Sequence, residues 1–116
     1  MAYQTTIERP AETEGIALHT GVRCHLRLVP APADTGVVFR RVDLDNFAIE
    51  AHARNVARVS YATSLMKKGV LLSTTEHLLA ALYGCEIDNA IVELDGPEVP
   101  VMDGSAAPFV FLIECA

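Results

Sequence analysis

The stretch Val22-Arg23-Cys24-His25-Leu26-Arg27-Leu28 alternates without a break, with Val22, Cys24, Leu26 and Leu28 apolar and Arg23, His25 and Arg27 polar. Successive side chains on a strand point to opposite faces, so this pattern predicts a strand with one face on a core and the other in water. His25 falls on the solvent face. Pro30-Ala31-Pro32-Ala33-Asp34-Thr35-Gly36 is expected to end the strand as a loop, because proline cannot donate to a central ladder. Upstream, the chain is polar as far as Glu14 and then strand-like, broken by Gly15 and by a His19-Thr20-Gly21 turn.

Working downstream, Val37-Val38-Phe39 begins another short strand. Ile49, Ala51 and Ala53, with the stretch from Val56 to Val59, predict further pairing. Tyr61 to Met66 reads as a strand turning at Lys67-Lys68-Gly69, and Val70-Leu71-Leu72 leads into a helix from about Thr74 to Tyr83. That helix carries Leu78, Leu79 and Leu82 on one stripe, with Gly84 expected as its left-handed C-terminal residue. Ile87 and then Ala90 to Leu94 form a buried strand. Asp95-Gly96-Pro97, Val99-Pro100 and Asp103-Gly104-Ser105 make turns, and Ala106 to Cys115 is a second helix with Pro108 in its tolerated first turn. Antiparallel strands followed by strand, helix, strand, helix predict an α+β layered domain with its helices on one sheet face.

A length of 116 residues fits one domain with one core, spanning residues 1–116 with no internal repeat or linker. Apolar residues make up 51% of the chain but aromatics only 6%, with no Trp, so the core is expected to be Val, Leu, Ile and Ala. The net charge of -6 argues against a nucleic-acid or anionic-membrane surface, which would need a basic stripe. Two basic clusters remain, Arg40-Arg41 and the set Arg54, Arg58, Lys67 and Lys68, each open to reading as a solvated face or as a contact for a phosphorylated ligand. Cys24, Cys85 and Cys115 are odd in number and contain no C-x-x-C pair, so neither a disulfide framework nor a cysteine metal cage is indicated. With no secretory leader and no apolar run long enough to cross a bilayer, a cytoplasmic setting is expected. No glycine-rich nucleotide fingerprint occurs.

The chemistry concentrates at Ser73-Thr74-Thr75-Glu76-His77-Leu78-Leu79, where a carboxylate and an imidazole stand side by side at a helix start. Two readings are open. Ser73-x-x-Glu76 matches a capping box, in which the two side chains satisfy each other's backbone N–H groups. Against that, His77 then occupies the fourth helical position, where a hydrophobic staple from Leu72 wants an apolar partner. The positive end of the helix dipole also favours an ionised carboxylate and a neutral imidazole, the forms that a general base and a metal ligand need. Adjacent helical residues diverge by about 100°, so the pair can flank one water without competing for one metal position.

The block Thr74 to Leu82, the block Ile87-Asp88-Asn89, the block Glu98-Val99-Pro100-Val101-Met102-Asp103-Gly104-Ser105-Ala106 and the opening Gly15-Ile16-Ala17-Leu18-His19-Thr20-Gly21 occur in this order over nearly the whole chain. Together they resemble the amino-terminal half of the zinc-dependent UDP-3-O-acyl-N-acetylglucosamine deacetylases of lipid A synthesis. The resemblance implies a two-layer sandwich of a mainly antiparallel sheet packed on two helices, with a small inserted antiparallel sheet. It implies that Glu76 is the general base that activates water for attack on the acetamide carbonyl, and that His77 is one zinc ligand. His19 and Thr63 fall on the substrate side, with a turn histidine and a plain strand threonine as their structural readings. Asp103-Gly104-Ser105 reads as a structural turn and cap.

A hydrolytic zinc site takes about three protein ligands. The family's second domain, which supplies a His and an Asp ligand, a general-acid histidine and most of an acyl-chain passage, has no counterpart in this sequence. The isolated chain is therefore expected to be inactive, and its exposed domain face to favour self-association. A non-catalytic binding or interaction domain that keeps the deacetylase fold is the alternative, and a core domain in which Glu76 and His77 serve only helix capping is a third reading.

Overall fold

The alternation at residues 23–28 is realised in β2 (Arg23–Pro30), where Cys24, Leu26 and Leu28 are buried and Arg23, His25 and Arg27 are exposed. The computed structural model describes residues 4–16, 21, 23–51, 56–59, 62–68, 70–72, 75–100, 102 and 107–116; the side chains of 56–59, 62–64, 66 and 71 are not described. Around β2 the chain forms β1 (Ala11–Ile16), β3 (Val37–Arg41), β4 (Phe47–Glu50), β5 (Val56–Val59), β6 (Ala62–Lys67), β7 (Val70–Leu72), α1 (Glu76–Gly84), β8 (Ala90–Leu94) and α2 (Ala107–Glu114).

A five-stranded sheet runs in the order β1-β2-β8-β3-β4, and β5-β6-β7 make a separate three-stranded antiparallel sheet. In the larger sheet only the β3–β8 pairing is parallel. The expected architecture is therefore observed: a mainly antiparallel sheet, two helices and a small inserted antiparallel sheet. Leu26, Leu28, Phe39, Ile49, Val92 and Leu94 of the sheet form one core with Leu78, Ala81 and Leu82 of α1 and Phe109 and Ile113 of α2. Burying each large aliphatic or aromatic side chain stabilises the layer by about 1.5–3 kcal/mol. The other sheet face carries a charged row across four strands. Glu12 stands opposite Arg27, and Glu93 takes Arg27 at 3.3 Å and Arg40 at 3.1 Å.

Four local expectations are corrected. The strand at the start of the chain is not broken by Gly15, which pairs with Cys24 inside β1. A Cβ there would stand 3.0 Å from the Pro100 Cβ and 3.2 Å from the Met102 Sδ, a tight approach that a side chain could enter only if these neighbours shifted by a few tenths of an ångström. Pro30 does not lie beyond its strand; it closes β2 opposite Ala90, at an end position that tolerates proline.

The central helix starts at Glu76 and not near Thr74, with Thr75 as its N-cap residue. Gly84 is the last helical residue, and the left-handed position belongs to Glu86, at φ 59°. There the Glu86 N–H bonds the Tyr83 carbonyl at 3.1 Å and the Ile87 N–H bonds the Leu82 carbonyl at 2.9 Å, the paired bonds of a Schellman termination. A side chain with a Cβ is disfavoured in that conformation. Glu86→Gly is expected to raise stability by about 0.5–1 kcal/mol, less than the full left-handed penalty because glycine gains entropy when unfolded. The urea midpoint checks this, and an unchanged or lower midpoint contradicts it.

Of the basic clusters, Arg40, Arg41 and Lys67 are each paired with a carboxylate, while Lys68 is exposed. Arg41 is buried and grips Asp43 with Nε–Oδ1 at 2.8 Å and Nη2–Oδ2 at 2.7 Å. The guanidinium's hydrogen bonds hold the Asp43 carboxyl below its ordinary range. Lys67 reaches Glu50 at 2.8 Å. Arg54 lies outside the described residues, as does the Arg58 side chain. The three cysteines are free; burial, with Asp95 nearby, pushes the Cys24 thiol up to about 12, so it packs as a small apolar group.

Candidate functional site

The site is built on the first turn of α1. β7 ends at Leu72, and Thr75, fully buried and at φ -89°, ψ -12°, precedes the helix and accepts the Leu79 N–H on its carbonyl at 3.0 Å. Thr75 makes no side-chain cap bond. Glu76 and His77 are thus the first and second helical residues. They are not the third and fourth, as a cap at Ser73 would make them. A capping box needs its carboxylate at the third position, so the observed helix start removes that geometry. Ser73 itself lies outside the described residues.

Both side chains are half-buried. Leu78, Ala81 and Leu82, on the buried side of the helix, lock α1 against the sheet and α2 and so fix the direction in which the first turn faces. The Glu76 Oε2 atom is buried without a hydrogen-bond partner among the described residues. Leaving a buried carboxylate oxygen unpaired costs on the order of 1–3 kcal/mol, so a fold that keeps one there stores the capacity to bind a polar group. Next to it His77 offers an imidazole nitrogen, a donor suited to zinc and to other borderline metals. Among the described residues no group of three or more His, Cys, Asp or Glu gathers to hold an ion. The donor types fit zinc, and their number fits one side of a zinc site.

Of the other sequence-derived candidates, Thr63 lies on β6 opposite Arg58, and β6 contacts α1. The Thr63 side chain is outside the description, as are His19 and Asp103-Gly104-Ser105. His25 is exposed on the far sheet face, 3.5 Å from Glu12, as the alternation required. Sequence reading missed Glu98, a carboxylate that is only 2% exposed and engaged by a neighbouring group. Its placement between Pro97 and Pro100 suggested a turn, and no pattern of spacing marks a buried acid.

Two of the sequence blocks prove to be neighbours in space. Gly15, opening the first, packs on Pro100 and Met102 of the last. The short Ile87-Asp88-Asn89 block is a structural clasp. Asn89 is buried, accepts the Gly36 N–H at 2.8 Å and donates to Gln4 at 2.8 Å, while Asp88 accepts the Thr5 N–H at 2.8 Å.

Comparison with known proteins agrees with this arrangement. The family model described as UDP-3-O-acyl N-acetylglycosamine deacetylase (LpxC) matches residues 4–116. The UDP-3-O-acyl-N-acetylglucosamine deacetylase of Solibacter usitatus (strain Ellin6076) is 59% identical over 113 residues, covering 97% of this chain and 38% of the relative. That of Geobacter sp. (strain M21) is 55% identical over 114 residues, covering 97% and 37%. That of Saccharophagus degradans (strain 2-40 / ATCC 43961 / DSM 17024) is 51% identical over 117 residues, covering 100% and 39%. The chain thus spans less than two fifths of the length of these relatives. With a family match over residues 4–116 and relatives more than half identical over nearly the whole of it, the chain belongs to the UDP-3-O-acyl N-acetylglycosamine deacetylase family.

Proposed function

We propose that this chain is the amino-terminal half of a zinc-dependent deacetylase that hydrolyses the acetamide of UDP-3-O-acyl-N-acetylglucosamine in lipid A biosynthesis, a cytoplasmic reaction, and that it is inactive without a second domain. The observation that carries this reading is the buried, unpartnered Glu76 Oε2 beside His77 at the start of α1. Glu76 takes a proton from the attacking water, and the His77 imidazole contributes one ligand to the metal. Zinc, when bound, supplies Lewis-acid polarisation of the acetamide carbonyl. Thr63, and His19 from the opening block, stand on the substrate side.

The remaining ligands and the general acid belong to a second domain, in the same or another polypeptide; the greater length of the relatives supports this. Tyr83 on α1 and Phe111 on α2 are 60% and 58% exposed, an apolar helix surface that a second domain or another copy of the chain would cover. No helix among the described residues is long and apolar enough to cross a membrane.

The test compares two proteins. One is the 116-residue chain; the other is a chimera in which the chain replaces the matching segment of the Solibacter usitatus relative. With added zinc, the chain alone is expected to give no deacetylation and to retain no stoichiometric metal after gel filtration, whereas the chimera turns over substrate and loses activity on chelation. Turnover by the isolated chain would refute the half-site reading, and a chimera that folds and binds substrate without hydrolysing it would favour a binding domain.

A further inference from the structure

Strand β6 sits between the site helix and the edge of the main sheet, in contact with both α1 and β4. Its seat has two components of different character. Leu65, near the middle of β6, pairs with Leu72 across the β6–β7 ladder, and both are buried in the common core. Apolar burial of this kind is non-directional; it fixes how deep the strand lies, and because β6 is laddered to β5 and β7 on its two edges, any tilt about the buried point is a tilt of the small sheet as one body. The second component is directional. Lys67 Nζ, at the last residue of β6, bonds Glu50 Oε1, at the last residue of β4, at 2.8 Å.

Leu65 stands midway between Lys67 and Thr63, two residues from each, or about 7 Å along an extended strand. A small sheet held near its middle behaves as a lever, so pinning the Lys67 end of β6 to the main sheet also sets the height of the Thr63 end. We propose that Lys67 is a positioning residue for the candidate site, its bond to Glu50 fixing the tilt of β6 and hence the placement of the Thr63 segment relative to Glu76 and His77 on α1. This inference rests on the deacetylase reading for its functional half, and its structural half stands separately.

The experiment pairs two readouts on Lys67→Met, Lys67→Arg and the charge exchange Lys67→Glu/Glu50→Lys. Amide hydrogen exchange on the 116-residue chain is expected to quicken about two- to fivefold over residues 62–67 in Lys67→Met, the scale of a part-exposed ion pair, and to return to the parent rate in Lys67→Arg and in the exchanged pair. In the chimera, Lys67→Met is expected to raise KM by about two- to fivefold with kcat held, the signature of disturbed ground-state binding, again restored by Lys67→Arg. Unchanged exchange in Lys67→Met overturns the latch. Quickened exchange with unchanged KM overturns its connection to the site. A parent chimera without deacetylase activity counts against the deacetylase reading and against the functional half, while the exchange result still decides the latch.

Discussion

Glu76→Gln in the chimera is expected to lower kcat by about 10²- to 10⁴-fold, the range for removing a positioned general base, with KM little changed. The substitution keeps the size of the side chain and its capacity to accept hydrogen bonds, so it removes the basic oxygen and leaves the helix start in place. Glu76 is the first residue of α1, directly after the buried Thr75 and two residues before the buried Leu78. Its Oε2 has no partner among the described residues. A residue retained for helix stability alone would behave differently. Glutamine would cost roughly 1 kcal/mol or less of stability, and turnover per folded molecule would be preserved. A kcat within about threefold of the parent, at equal folded fraction, would therefore remove Glu76 from the chemistry. His77→Ala is a useful companion, since loss of a ligand lowers metal content as well as rate, whereas Glu76→Gln is expected to leave metal content unchanged.

Asn89→Ala is expected to destabilise the chain by about 2–4 kcal/mol, a large share of the 5–15 kcal/mol that holds a domain of this kind. Asn89 joins three segments far apart in sequence. Its Oδ1 accepts from Gly36, which sits at φ 72° just before β3, and its Nδ2 donates to Gln4. Gln4 in turn accepts the Asp34 N–H and donates to the Asp34 carboxylate, both at 2.7 Å. The Asn89 main chain bonds Thr5, and its carbonyl accepts the Thr6 hydroxyl. Alanine strips out the amide, leaves the Gly36 N–H unpaired and cuts the link to Gln4, whose Oε1 keeps only the Asp34 N–H, in a network where each bond supports the next. Urea denaturation of the chain checks the magnitude, and a loss below about 0.5 kcal/mol would show that the clasp is dispensable. Because Asn89 is not placed in the site, kcat per folded chimera is expected to stay at the parent value.

These two residues differ in how far the sequence alone marks them. Glu76 was visible because carboxylate, imidazole and helix start lie next to one another in the chain, and adjacency survives folding. Asn89 was visible only as part of a family block, since its partners Gln4, Asp34 and Gly36 are brought to it by the parallel pairing of β3 with β8 and by the chain start lying alongside residue 89. The capping-box reading of Ser73 and Glu76 was a good local match that the helix start at Glu76, with Thr75 as the N-cap residue, does not realise. Glu86 shows the same effect at the other end of α1, where the nearest glycine drew the expected termination two residues too early.

The amino-acid sequence by itself determined the faces of the elements: which side of β2 is buried, that β8 is apolar, that α1 has a leucine stripe, and that Glu76 and His77 share one helical turn. These follow from periods of 2 and 3.6 residues, which are local properties of the backbone. Only the tertiary structure decided the strand order β1-β2-β8-β3-β4, the seat of the small sheet through Leu65 and Lys67, the burial of Arg41 on Asp43, and the stranding of one Glu76 oxygen without a partner. Strand order and burial depend on which distant segments meet, and the free energy that selects among those meetings is the non-directional burial of a common core, which leaves no periodic mark on the chain.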